Sequence, residues 1–103
     1  MTATTTKKTT FFSDGYTFVS PFSADDLAPV SDLSGSTLQL SAAQVTGASV
    51  VGVGSVLGPL LGKGVFAPAS LEVGEWDVQL RLITTGQPPK TILAFVLEVL
   101  RSV

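Results

Sequence analysis

The sequence predicts an all-β sandwich of about seven short strands, and three observations carry that prediction. Short apolar or alternating runs recur at roughly 8–12-residue spacing, the interval of a strand plus its turn. Ten glycines and six prolines, together with Asp and Ser, punctuate the intervals. Toward the C-terminal end, Gly74–Leu82 alternates apolar and polar residues, as a half-buried strand must. After a turn, Thr91–Leu100 is apolar on both faces.

Taken in order, residues 1–10 offer Thr2, Thr4, Thr5, Thr6, Thr9 and Thr10, which favour extended backbone and give a core nothing to bury. They are expected as an extended arm, lying on a neighbouring subunit or back on its own domain, with residues 11–103 as the sandwich domain. Phe11-Phe12 and Tyr16–Ser20 flank Ser13-Asp14-Gly15, a hairpin-turn signal. Pro21 ends or edges the second run. Ala24–Ser34 reads as loop. Ser36–Leu40 alternates and forms a short strand after the turn at Gly35.

From Ala42 to Gly64 the pattern is least regular. Val50-Val51 and Val53 suggest one strand in which Gly52 and Gly54 occupy the opposite face, as where another backbone approaches closely. Leu57–Gly62 reads as an apolar loop, Val65-Phe66 as the opening of a further strand that Pro68 closes, and Val73-Gly74 as the turn into the terminal hairpin. In that hairpin Trp76, Val78, Leu80 and Leu82 point to the core, opposite Leu93, Phe95, Leu97 and Val99. From Ile92 onward Phe95, Val96, Val99 and Leu100 also fit helical spacing. The preceding strand and short turn favour a hairpin, and Leu93 and Leu97 interrupt the polar face that a surface helix needs.

The 103 residues make one domain. Charged residues are 14% of the chain, well below the roughly 25% of typical soluble domains, and mean hydropathy is +0.47. A small domain with that balance has more apolar surface than its own core absorbs, which points to burial in an assembly. A net charge of −2 without a basic run excludes an electrostatic footprint for nucleic acid. The N-terminal residues lack the apolar stretch of a secretory signal, and no run approaches the roughly 20 residues of a spanning helix, so no membrane partner is expected. Neither Cys nor His occurs, which removes disulfides, thiolate metal sites and the commonest general base.

The remaining chemistry is thin. Asp25, Asp26 and Asp32 match no calcium-loop spacing. The serines have no histidine, leaving only a Ser–Lys pair with Lys63 or Lys90. Glu72, Glu75 and Asp77 suit a soluble strand edge better than a glycosidase pair. Gly52-Val53-Gly54 with Gly58 lacks the lysine and strand-to-helix setting of a phosphate loop. Trp76 and Tyr16 could form a sugar platform, but Trp76 falls in register with the core. No catalytic residue, cofactor or metal is therefore expected. The candidate contact residues are Thr5, Lys7, Phe11 and Phe12 of the arm and its junction; Leu57, Leu60 and Leu61 of the apolar loop; and Ile92, Val96 and Leu100 on the spare face of the last strand.

The succession Asp32-Leu33-Ser34-Gly35-Ser36-Thr37-Leu38, the glycine-rich middle, Val73-Gly74-Glu75-Trp76-Asp77-Val78-Gln79-Leu80 and the closing Thr91–Val99 strand resembles the immunoglobulin-like N-terminal domain of phage upper-baseplate proteins. The likeness runs from about Leu27 to Val99, with Trp76 where the family usually has tyrosine. It implies an immunoglobulin-like β-sandwich. It also implies a non-enzymatic subunit of a phage virion, a capsid cement or decoration protein or a tail or baseplate adaptor. Such a subunit would be homo-oligomeric or lattice-bound, with other capsid or tail subunits as partners. The alternative is a soluble carbohydrate- or peptide-binding β-sandwich, such as a receptor-binding accessory of a tail.

Overall fold

The computed structural model describes residues 7–28 and 30–101; the arm residue Thr5 lies outside them. Eight strands and one helical turn follow in the order β1 (Lys7–Phe11), β2 (Tyr16–Pro21), α1 (Ala24–Leu27), β3 (Thr37–Ala43), β4 (Ser49–Val51), β5 (Val53–Gly58), β6 (Leu61–Phe66), β7 (Gly74–Ile83) and β8 (Lys90–Leu100). They form two sheets, β1-β8-β7-β3-β4 and β2-β6-β5. All neighbours are antiparallel except β1 and β8. The smaller sheet has the B-E-D order of an immunoglobulin sandwich, and β8-β7-β3-β4 has the G-F-C-C′ order.

The terminal hairpin is the centre of the large sheet. Alternation along β7 buries Trp76, Val78, Leu80 and Leu82, and β8 answers with Phe95, Leu97 and Val99. The second apolar run is thus a strand, because a pairing partner lies on each side of it over Val96–Val99. Trp76 is 2% exposed, and its indole Nε1 donates to the Glu72 carbonyl at 2.8 Å. In immunoglobulin domains a tyrosine at the start of strand F ties back to upstream backbone in the same way; here tryptophan does so. Opposite the hairpin, Leu38, Leu40 and Ala42 of β3 join the core, with Phe66 from β6 and Phe22, Leu27, Leu33 and Leu71 from the connections. Phe18 of β2 meets Phe95 edge-on at 5.3 Å, linking the two sheets.

Several expectations need correction. Of the two placements open to the arm, the described part takes the second, back on its own domain, and is no separate segment: Lys7–Thr10 with Phe11 form the edge strand β1, parallel to β8. The Ser13–Gly15 turn does not close a hairpin. Asp14 donates its N–H to the Phe11 carbonyl and Gly15 takes φ +66°, but the chain passes there from one sheet to the other. A Cβ on Gly15 would fall 2.5 Å from the Phe66 carbonyl, so packing as well as the turn requires glycine. Ala24–Leu27 is a helical turn, capped by Ser23 and Asp26 in a reciprocal box that a loop reading overlooks. Leu57–Leu61 is the tip of a β5–β6 hairpin with a bulge between Val56 and Gly58, not an apolar loop. Val65-Phe66 ends a strand and does not open one.

The two sheets meet along a seam where β4 runs into β5. Gly52 donates its N–H to the Leu40 carbonyl at 3.0 Å, and the strand then leaves the large sheet for the small one. A Cβ at Gly54 would stand 2.5 Å from the Leu38 carbonyl, and one at Gly64 would stand 2.4 Å from the Phe18 ring. Gly54 and Gly64 are cross-strand partners, so the inner face of the small sheet is partly bare backbone, filled from opposite by Leu38 and Leu40 and from the neighbouring strand by Phe18. We expect Gly54→Ala to destabilise the fold by about 1–3 kcal/mol, as overpacking against fixed backbone does. Gly58→Ala, whose new methyl meets only Leu61 Cβ at 3.8 Å, should stay within about 0.5 kcal/mol of the parent. Urea denaturation of the two variants checks the contrast.

Candidate interaction surface

The sandwich has two outer faces of opposite character. Residues paired across neighbouring strands share a face, so the register fixes each surface. Outside the large sheet stand Lys7, Thr9 and Phe11 of β1; Val96, Glu98 and Leu100 of β8; Glu75, Asp77, Gln79 and Arg81 of β7; and Thr37, Gln39 and Ser41 of β3. This face is wet and charged. Lys7 Nζ bridges Glu75 at 3.0 Å and Glu98 at 3.6 Å.

The outer face of the small sheet consists of three rows. Thr17, Val65 and Val53 form one, Val19, Lys63 and Ser55 the next, and Pro21, Leu61 and Gly58 the third. Lys63 is the single charge among them. Val53 is 63% exposed and Val19 52% exposed, and Leu57, Leu60 and Leu61 are exposed at the hairpin end. Around the corner, on the last residue of β4, Val51 is 76% exposed. The alternation Val51-Gly52-Val53-Gly54 is therefore inverted relative to an ordinary strand. Glycine faces inward because β3 leaves no room for a side chain, and valine faces out.

The residues singled out from the sequence separate accordingly. Leu57, Leu60 and Leu61 cluster at the rim of the apolar face. Phe11 and Leu100 are paired and exposed on the opposite, charged face. Phe12 packs against the core and donates its N–H to the Leu100 carbonyl at 2.8 Å. Ile92 also packs against the core: Leu80 pairs with Leu93 and Arg81 with Thr91, so a bulge at Ile92 interrupts the alternation that would have sent it outward. Val96 is half-buried between Lys7 and Asp77. The spare face of β8 is thus diluted by charged neighbours. Sequence reasoning missed Val19, Val53, Lys63 and Val65. The signal for the last three was the glycine alternation itself, because bare inner positions oblige the intervening residues to face solvent.

Two further features bear on ligands. A cavity of about 290 Å³ opens between β2 and β8, lined by Lys8, Tyr16, Phe18, Leu93 and Phe95 among others. Its rings pack on one another, with Tyr16 6.0 Å from both Phe18 and Phe95, and burial holds the Tyr16 phenol above its ordinary pKa. Among the described residues no group of three His, Cys, Asp or Glu side chains is placed to hold a metal, and no helix is long and apolar enough to cross a membrane. Asp25 and Asp26 serve the short helix: hydrogen bonds from the Ser23 backbone and side chain keep the Asp26 carboxyl below its usual range. No family model, no curated protein and no solved structure matches the chain.

The Lys7 cluster generates a pH prediction. Its hydrogen bond and attraction to Glu75, then its attraction to Glu98, raise the Lys7 amine above its ordinary value of 10.5. A raised amine pKa means a stabilising contribution that is complete below the unfolded value and is lost as pH rises through the folded one. The difference in thermal midpoint between the parent and Lys7→Met should therefore be constant through neutral pH and disappear as pH rises past the ordinary lysine value of 10.5 and through the raised one. It should also shrink with added salt, since the pair is exposed.

Proposed function

We propose that the chain is a non-enzymatic structural subunit of a phage virion, a cement or decoration protein or an adaptor that binds neighbouring capsid or tail subunits. The observation that carries this reading is the apolar outer face of β2-β6-β5, set against a charged face on the other side of the sandwich. A domain whose two sides differ so sharply in polarity is suited to lie with one side against a partner and the other in water. Low overall charge agrees with that use. The likeness of Asp32–Leu38, Val73–Leu80 and Thr91–Val99 to the immunoglobulin-like domain of phage upper-baseplate proteins supplies the setting. The immunoglobulin order of the strands is consistent with it. Head and tail locations are both compatible with a face of this kind.

The cavity between β2 and β8 favours a second reading, a peptide- or carbohydrate-binding sandwich, because aromatic rings line it. Those rings pack on one another, tilted or edge-on, at centroid distances of 5.3–6.0 Å, so the face carries more weight than the cavity. Particles purified on a density gradient decide between the readings. Peptides of this chain should band with the virion and be stripped by mild denaturant before the shell opens. Absence from washed particles, together with a binder on a glycan array, would reverse the order.

A further inference from the structure

We infer that the outer face of β2-β6-β5 docks onto an unlike protein surface, apolar and carrying one carboxylate that sits over Lys63. This deepens the assembly reading and rests on it for the partner being a protein. Lys63 holds the central position of the three-by-three grid: the middle residue of the middle strand, with Val19 on one side and Ser55 on the other. Val65 and Leu61 stand above and below it on β6. Among the described residues it has no ion pair, since the bridges are those of Lys7. An apolar partner that covered this face without a negative group would strand the ammonium in a dry contact, which is strongly disfavoured. A carboxylate at that point converts the penalty into specificity.

The same central position argues against a second copy. A two-fold contact superimposes a patch on itself, and an axis through the middle of this face would place Lys63 against Lys63. Stacking the face on the far side of another copy would meet Phe11, Val96 and Leu100 but also set valines on Glu75, Asp77, Arg81 and Glu98, three carboxylates where Lys63 offers one charge. The face is also small. Three strands of about six residues span on the order of 14 by 20 Å, or about 300 Å², against the roughly 800 Å² per partner of a stable stand-alone complex. A contact of that size is weak singly and becomes firm when repeated over an array or joined to a second contact.

The chemistry of the face can be read without the partner. In ¹H–¹⁵N spectra of the intact chain, octanoate should shift amides of Val19, Val53, Lys63 and Val65 at concentrations where octylammonium does not. Lys63→Glu should reverse the preference, with octanoate weakened roughly two- to fivefold, the size of a partly exposed ion pair. Val19→Asp should weaken octanoate as well, by losing apolar contact and setting a carboxylate beside Lys63, without loss of fold, since Val19 is half exposed. Shifts confined to the β7–β8 face, or no preference between the two ions, would overturn the proposal. Three other occupancy results would also overturn it: dimerisation in sedimentation equilibrium that Val19→Asp abolishes, which would assign the face to a second copy; flotation of the parent chain with phosphatidylcholine–phosphatidylglycerol vesicles, which would assign it to lipid; and particle binding that survives both substitutions. Failure of the virion reading is visible separately, as absence of the parent chain from particles while the octanoate result stands.

Discussion

Along the seam between the sheets, the backbone of β5 lies against the backbone of β3 with no side chain between them. A Cβ at Gly54 would be 2.5 Å from the Leu38 carbonyl, and one at Gly52, just before β5, would be 2.6 Å from the Leu40 side chain. This approach lets one continuous segment, Ser49–Gly58, serve both sheets, as β4 in the large one and β5 in the small one. It closes one side of the sandwich and sets the distance across which Leu38, Leu40 and Phe66 fill the core. The arrangement has a consequence for the surface as well. Where inner positions are glycine, the apolar residues that strand propensity still demands have only the outer face to occupy.

The two outer faces diverge for that reason. In the large sheet the ordinary rule holds: Trp76, Val78, Leu80 and Leu82 face in while Glu75, Asp77, Gln79 and Arg81 face out. In the small sheet the inner face keeps Phe18 and Phe66 but is bare at Gly54, Gly62 and Gly64, and Val19, Val53, Leu61 and Val65 stand on the outer face with Lys63 the one charge among them. The exposed apolar face therefore follows from how the sandwich is packed rather than from a motif added to it. The exposed apolar side chains are what remains after the glycines have brought the sheets together.

Some of this was legible in the residues. The terminal hairpin was readable because its alternation is long and regular and because its turn lies between two runs of matched length. The glycine alternation at Gly52 and Gly54 announced a close approach of backbones. Leu57, Leu60 and Leu61 were recognisable as exposed because apolar residues beside Gly58 and Pro59 cannot be part of a regular core strand. Other features were hidden. Ser13-Asp14-Gly15 has the chemistry of a hairpin turn, but a turn of that composition does not reveal whether its flanking strands share a sheet. The bulge at Ile92 leaves no mark in the sequence, since it shifts the register by one residue without glycine or proline.

By itself the sequence determined the all-β class, the strand that anchors the core, the buried face of that strand and the absence of histidine and cysteine chemistry. These are properties of local alternation and composition, which do not depend on what lies across the core. The tertiary structure alone decided that Lys7–Phe11 joins the large sheet, that Ile92 turns inward, and that the spare apolar surface lies on β2-β6-β5 and not on β8. Each of these depends on the identity of a strand's neighbours. β8 is apolar on its outer side, but β7 and β1 flank it with Asp77 and Lys7. β6 carries only one charge, but its neighbours contribute valines, and the sum over three strands is a property no single segment contains.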